Sequence, residues 1–278
     1  MKIADGIIPL MVAKNGEQTN CPTCGMAVRI VRRKNGEADH YEAMVVGEVI
    51  DKSLPPQDAE IAARLREKRK GKKTVALVGL ASSSCSLAPF DDPECEIWGL
   101  NEAHAFSWMK RATRWFQIHC TKSWKRPVAK RDVRGHYEWL KKNPWNIPIY
   151  MQYWNDEIPN VVAYPLHEIV EILLDKFRRG DKRVKYFTST FAYMMGVALL
   201  EGRRRIEGEK PFERIEIYGF EMSDDIEYVQ QKSCAEFWIG LAMGLGIEIY
   251  APENCQILWS ALYGGHELGQ GWENEDWE

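Results

Sequence analysis

The chain has 278 residues, of which 37 are Lys or Arg and 40 are Asp or Glu, so its formal net charge at pH 7 is −3. This length allows one large core with a small accessory unit, and the near balance of charge excludes a protein held to nucleic acid or to an anionic membrane by its overall field. No secretory signal or apolar run of roughly 18 residues is evident, and five of the seven cysteines are scattered singly, so we expect a cytoplasmic protein with reduced thiols.

Residues 1–47 are predicted to form a small β-hairpin unit, because "AVRIVRR" and "DHYEAMVV" flank the Asn-Gly turn signal of "KNGEA". In front of this hairpin, Cys21 and Cys24 form a Cys-Pro-x-Cys-Gly knuckle, which is a turn that presents two thiolates to one metal ion. His40 is the nearest third ligand, and no fourth ligand is evident. The sequence therefore predicts a zinc-ribbon-like unit with structural zinc; a metal-free hairpin and a site completed across a homodimer remain the alternatives.

Residues 48–73 are predicted to be a charged linker helix. A Pro-Pro stop precedes a plausible N-cap at Asp58, and the helical pattern ends at Gly71. The basic end of this helix is compatible with a contact to a phosphate backbone, but a solvated helix between the hairpin unit and the main domain is favoured.

From residue 74 to residue 278 we predict a Rossmann-like, three-layer α/β domain with a mostly parallel sheet, because apolar strand patterns alternate with helical patterns. The predicted strands are 74–79, 96–101, 114–119, 148–152, 161–165, 185–188, 214–222 and 247–252. The predicted helices are 121–143, 166–179, 190–202 and 228–245.

Ligands of an open parallel sheet bind beyond the carboxyl ends of its strands, near the point where the strand order reverses. Two hydroxyl-rich turns are expected there, one after Gly79 and one opening the helix at Thr190. Such turns suit a phosphate-bearing ligand, most simply a nucleotide, although neither GxGxxG nor GxxxxGK[ST] is present. The expected nucleotide contacts are Gly79, Ser82, Ser83, Ser84, Asn101, Glu102, Ser189 and Thr190. The alternative is that the serines only cap a helix.

Candidate catalytic groups occur at the same predicted edge. His104 and His119 follow the second and third strands of the domain, and His119 is the better candidate. The acidic residues Glu221, Asp224 and Asp225 follow the strand at 214–222. Their carboxylates are suited to binding Mg²⁺ or to acting as a base, which favours a metal-assisted nucleotidyl, phosphoryl or glycosyl transfer.

Four segments in order, "VALVGLASSSCSLAPF", "EIWGLNEAH", "YFTSTFAYMMGVALLEG" and "IEIYGFEMSDD", resemble the core shared by bacterial surface-glycan sialyltransferases and hydroxymethylpterin pyrophosphokinase-like proteins. The resemblance covers residues 74–252 and implies donor contacts from Gly79, Ser82–Ser84, Asn101, Ser189 and Thr190. The sialyltransferases place a catalytic His after the Gly-Ile-Asp strand, whereas "GFEMSDDIEYVQQ" offers acids in its place. The chain is also similar to bacteriophage-encoded proteins with the same hairpin ahead of the same core, which implies the host cytoplasm.

Two classes of function follow from these patterns. The first is a nucleotide-dependent, glycosyltransferase-like enzyme that takes a nucleotide or nucleotide-sugar donor and acts on a glycan or a modified nucleobase. The second is a non-catalytic protein of phage origin that captures a nucleotide signal and counters host defence. Because few basic residues lie in the loops of the expected crevice, we favour a nucleoside monophosphate or a CMP-type sugar over a diphosphate donor.

Overall fold

A computed structural model describes residues 18–20, 27–35, 38–45, 56–119, 135–203, 210–222 and 226–258. Side chains are described from Glu60 onward, except in residues 226–230 and at residue 256. No helix within these ranges is long and apolar enough to span a membrane.

A three-stranded antiparallel sheet comes first in the chain. It consists of β1 (Gln18–Asn20), β2 (Ala27–Asn35) and β3 (Ala38–Val45), with β2 in the centre. Strands β2 and β3 pair antiparallel up to Asn35 and Ala38, so the predicted hairpin is present. Cys21, Cys24 and the side chain of His40 lie outside the described residues, and the zinc site stays a prediction.

The helix α1 (Pro56–Arg69) follows. It begins two residues before the predicted N-cap, and most of its side chains are exposed, as expected for a charged helix. Its C-terminal end differs from the prediction, because Leu65 and Arg69 are buried. Arg69 forms ion pairs with Asp92 and Glu216, so the helix is anchored to the main domain.

The main domain contains a seven-stranded sheet in which every pairing is parallel, and this confirms the predicted α/β class. The strands are β4 (Thr74–Val78), β5 (Cys95–Leu100), β6 (Arg114–Gln117), β7 (Ile149–Met151), β8 (Val161–Ala163), β11 (Arg214–Tyr218) and β12 (Glu248–Tyr250). Their order is β12-β11-β4-β5-β6-β7-β8. The chain runs outward from β4 to β8 and returns to the other side of β4, so the strand order reverses between β4 and β11.

Helices flank the sheet, consistent with a Rossmann-like fold. Within the described residues, the other α-helices are α2 (His136–Lys142), α3 (Leu166–Leu173), α4 (Thr190–Arg203) and α5 (Ile226–Gly244). One buried cluster joins alternate strand residues such as Leu77 to Phe191 of α4 and Trp238 of α5. The other joins the opposite strand positions, such as Val78, to Leu140 of α2. The period-two alternation of strand side chains thus gives the sheet a core on each face.

The predicted strand at 185–188 is wrong. Those residues are irregular, and a short hairpin of β9 (Arg178–Arg179) and β10 (Lys182–Arg183) precedes them. The carbonyl of Tyr186 accepts hydrogen bonds from the Trp238 indole and the Cys234 thiol, so the aromatic segment packs against α5 and joins no sheet. For the predicted helix at 121–143, only His136–Lys142 is helical within the described residues.

The predicted helix at 166–179 and the predicted strand at 214–222 are each too long. Helix α3 ends at Leu173, because the β9–β10 hairpin follows. Strand β11 ends at Tyr218, because Gly219 takes a left-handed conformation with φ of 68°, which an extended strand does not contain.

Candidate functional site

The crevice where the strand order reverses has a glycine on each side. Gly79 follows β4 and donates its N–H to the carbonyl of Tyr218 at 2.7 Å, while Ala81 donates to the carbonyl of Gly219 at 2.9 Å. A Cβ atom at Gly79 would overlap the Gly219 carbonyl oxygen and lie 2.9 Å from its carbon. The loops after β4 and β11 are therefore in backbone contact, and position 79 accepts only glycine.

Ser84 fastens these two loops together. Its hydroxyl accepts a hydrogen bond from the Gly219 N–H at 2.8 Å, and the residue is fully buried. This hydroxyl therefore holds the two loops of the crevice together, and the role of Ser84 as a ligand contact stays a prediction.

Ser83 differs from its neighbour. Its backbone carbonyl accepts a hydrogen bond from the side-chain amide of Asn254, in the loop after β12. Its hydroxyl is buried and has no hydrogen-bond partner. The preceding Ser82 is half-buried and does have a partner, so Ser83 holds the hydroxyl of this turn that remains to be satisfied.

Asn101 lies directly after β5 in a left-handed conformation, with φ of 46°, and Asn is among the few non-glycine residues that adopt it readily. Its backbone N–H donates to Phe116 at 3.1 Å, and its carbonyl accepts from the Trp115 indole at 3.2 Å. The side-chain oxygen Oδ1 is buried without a partner. Glu102 follows, half-buried, in the turn that leaves the strand.

The start of α4 lies at the same crevice. Phe191, in its first turn, packs edge-on against Phe220 with ring centroids 4.9 Å apart. Phe220 in turn lies 3.0 Å from the position of a Cβ atom at Gly79. Ser189 precedes the helix; its carbonyl accepts the Ala192 N–H at 3.0 Å, and its hydroxyl is buried without a partner. The half-buried Thr190 begins the helix.

Four buried side-chain nitrogen or oxygen atoms in the described part of the chain lack a hydrogen-bond partner. Three of them, Ser83 Oγ, Asn101 Oδ1 and Ser189 Oγ, belong to the residues just described at the carboxyl edge of the sheet, and the sequence predicted all three as ligand contacts. Leaving one such atom unsatisfied costs about 1–3 kcal/mol. Together they offer two hydroxyls, which can donate to phosphate, and one amide oxygen, which accepts from a ligand hydroxyl or amine.

A chain of hydrogen bonds connects His104, in the turn after β5, to His136, the first residue of α2. His104 Nε2 lies 2.8 Å from His136 Nδ1, and His136 Nε2 lies 2.7 Å from Gln117 Oε1. Because the Gln117 oxygen can only accept, His136 carries its proton on Nε2 and accepts from His104 through Nδ1. Burial, with smaller effects from the charges of His104 and His119, lowers the pKa of His136 to about 3, so its neutral form persists at pH 7.

This relay ends at the half-buried His104, whose ring stacks on Trp139 with centroids 4.3 Å apart. In this tautomer His104 donates its Nε2 proton to His136. His119, the preferred sequence candidate, is exposed at the end of β6 and near enough to His136 to act on its pKa. Sequence reasoning missed His136 because it lies inside a predicted helix; the Gly135-His136 helix start was the available signal.

The acidic candidates are only partly described. Glu221 is half-buried, two residues after Gly219, whereas Asp224 and Asp225 lie outside the described residues. Within the described ranges, no group of three or more His, Cys, Asp or Glu side chains is arranged to hold a metal ion. A magnesium site that uses Asp224 and Asp225 stays a prediction.

The chain matches no protein-family model, no curated protein and no solved structure at a significant level.

Proposed function

We propose that this protein is a nucleotide-dependent, glycosyltransferase-like transferase, whose nucleotide or nucleotide-sugar donor binds in the crevice between the loops after β4 and β11. One observation carries the proposal: the three unpartnered buried oxygens of Ser83, Asn101 and Ser189 lie around the point where the strand order reverses. Ligands of open parallel sheets bind at that point.

Each contact has a chemical role in this proposal. The hydroxyls of Ser83 and Ser189 donate to phosphate oxygens, and Asn101 Oδ1 accepts from a ribose hydroxyl. Helix α4, with 14 residues beginning at Thr190, adds the positive end of its dipole and the amides of its first turn that have no partner within the helix. A monophosphate-linked donor suits this set, because the contacts are neutral groups.

His104 is the proposed general base. It removes the proton of an acceptor hydroxyl as that oxygen bonds to the anomeric carbon of the donor. The bond from this carbon to the phosphate oxygen breaks, and the nucleotide leaves with the electron pair. His136 acts as a positioning residue, since it holds the tautomer of His104 through the 2.8 Å hydrogen bond. Carboxylates are typical Mg²⁺ ligands, and Asp224 and Asp225 are proposed to hold the ion that neutralises the leaving phosphate.

Exposed aromatic residues offer a place for the acceptor. Tyr153 and Trp154, in the loop after β7, are 72% and 67% exposed. The Trp154 indole donates to Asp156 at 2.6 Å, which holds the ring in place. Flat aromatic faces at the carboxyl edge suit the stacking of a sugar ring or a nucleobase, which fits a glycan or a modified nucleobase as acceptor.

A thermal-shift screen of nucleotides and nucleotide sugars, with and without Mg²⁺, tests the proposal. A ligand at 100 times its dissociation constant stabilises the native state by about 2.7 kcal/mol. The matched variants are Ser83→Ala and Ser189→Ala, with the exposed Ser86→Ala from the same turn as control. If no nucleotide raises the melting temperature, or if the Ser83 and Ser189 variants bind as well as the control, the proposal fails.

A second measurement separates an enzyme from a binder. Asp224→Asn is expected to abolish turnover of the donor identified by the screen and to spare its binding. A nucleotide that binds tightly but yields no product with any glycan or nucleobase acceptor would identify the protein as a non-catalytic nucleotide binder of the kind that captures a signal.

A further inference from the structure

A cavity of about 420 Å³ lies between α1 and the β11–β12 end of the sheet. Its lining includes Arg64 and Lys68 from α1, Arg214 and Tyr250 from the strands, and Asn254 from the loop after β12. The volume falls within the range of about 300–1,000 Å³ typical of small-molecule sites.

Arg214 is the central polar group of this cavity. Its side chain is 1% exposed; Nε donates to Glu216 at 2.6 Å and Nη1 donates to Glu248. The remaining nitrogen, Nη2, is buried without a partner. A guanidinium is always charged and presents its donors in a rigid fork, so one arm of this fork is left for an acceptor that the described protein does not supply.

The unpaired charged side chains that line the cavity are mostly positive. Arg64 and Lys68, one helical turn apart on α1, form no ion pair with any residue that the structure describes. Glu248 is already bonded by Lys72 at 2.7 Å and by Arg214, which leaves Glu253 as the unpaired carboxylate of the described lining.

An apolar surface completes the cavity. It is formed by Ile61 and Leu65 of α1, by Leu87 and by the ring of Tyr250. The Arg214 guanidinium lies 5.2 Å from the centroid of that ring, so the charged and aromatic parts of the lining are adjacent.

We propose that this cavity binds a small organic anion, whose phosphate or carboxylate oxygens accept from Arg214 Nη2 and whose apolar part packs against Leu65 and Tyr250. Charge-assisted hydrogen bonds from a guanidinium to either group are among the strong ones. The cavity lies on the α1 side of the β12 loop and uses none of the nucleotide contacts proposed above, so the two proposals stand or fall independently.

Isothermal titration of the full chain with phenyl phosphate, benzoate and the neutral benzyl alcohol tests the site. We expect one of the two anions to bind and the alcohol not to bind. Tighter binding of phenyl phosphate identifies a phosphate site, and tighter binding of benzoate identifies a carboxylate site. Equal binding of the alcohol, or no binding of either anion, overturns the proposal.

Variants locate the binding. Arg64→Ala combined with Lys68→Ala should weaken it at least about tenfold, whereas Lys70→Ala, an exposed residue of the same segment paired with Glu67, should leave it unchanged. Ala251→Trp, which fills the cavity from the end of β12, should block binding, with circular dichroism confirming the fold. Unweakened binding by the Arg64/Lys68 variant contradicts the proposal even if the Trp variant fails to fold.

Discussion

The backbone of Gly79 lies so close to the Gly219 carbonyl that a single added methyl group would overlap it. We predict that Gly79→Ala costs about 1–3 kcal/mol of folding free energy, as expected for overpacking, and weakens nucleotide binding because the two loops must separate. Urea unfolding measures the loss. Gly240→Ala is the control, because a Cβ atom there meets nothing within 4 Å, and in a helix it should be stabilising by about 0.5–1 kcal/mol.

Alanine substitutions at the adjacent residues Ser83 and Ser84 should change the free energy of unfolding in opposite directions. Ser83→Ala removes an unpartnered buried hydroxyl and should stabilise the ligand-free protein. Ser84→Ala leaves the buried Gly219 N–H without its acceptor and should destabilise the protein by about 1–3 kcal/mol. Thermal unfolding of both variants without ligand measures the contrast. Equal destabilisation by the two substitutions would mean that Ser83 has a structural partner.

The stability of the protein should fall in acid because of His136. Its pKa is lowered from 6.5 to about 3 in the folded state, so the unfolded chain binds the extra proton between these values. Unfolding free energy therefore rises with pH across this window, by up to about 1.4 kcal/mol per pH unit from this one group. His136→Gln, which cannot titrate, should have a shallower slope between pH 6.5 and pH 4; identical slopes for both proteins would contradict the buried neutral state.

Glu216 should be the most sensitive carboxylate among those described. It is fully buried and accepts from Arg69, Arg214 and the Tyr218 hydroxyl. Burial opposes the charge of both arginines, whereas Glu216 and their other carboxylate partners raise their pKa values. A guanidinium stays protonated in proteins, so both arginines remain charged when this carboxylate is removed. Glu216→Gln should cost about 3–5 kcal/mol.

Chemical denaturation of Glu67→Gln provides the comparison for Glu216. Glu67 pairs with Lys70 on the surface of α1, where both side chains are about three-quarters exposed. An exposed pair contributes about 0–1 kcal/mol, so its loss should be nearly silent. A similar cost for the two substitutions would show that the buried network is dispensable.

Cys21 and Cys24 are predicted to bind zinc with His40. Metal analysis of protein purified without added zinc should find about one equivalent per chain, and Cys21→Ser should lower it while Cys234→Ser, whose thiol bonds Tyr186, should not. A folded, zinc-free preparation would contradict the prediction.

The sheet was predictable because β4 and β5 are buried on both faces and therefore appear as short, mostly apolar runs. Strand β11 was predictable because apolar and charged residues alternate along it. The segment at 185–188 has a similar apolar character for a different reason, since Tyr186 and Phe187 pack against α5. Local pattern alone does not distinguish a side chain that packs on a sheet from one that packs on a helix.

The site was predictable only in outline. Ser83 and Ser84 are the same residue type in neighbouring positions. Which of the two hydroxyls forms a hydrogen bond within the protein depends on where the turn meets Gly219, 135 residues away from Ser84. His136 depends in the same way on contacts with Gln117 and His104 that arise only after folding. The position of the crevice could be predicted from the strand order, whereas the hydrogen-bond partner of each hydroxyl depends on long-range packing.

The pairing of Thr74 in β4 with Arg214 in β11 has a consequence for synthesis of the chain. At about 5–20 residues per second, the ribosome makes β11 roughly 7–28 seconds after β4, and during that interval one edge of β4 has no partner. An unpaired apolar edge is prone to join other chains. A nascent or truncated product that stops before residue 214 therefore contains the serine turn but exposes an aggregation-prone edge of β4. Production of the intact chain should benefit from slower growth at low temperature or from a chaperone that shields this edge.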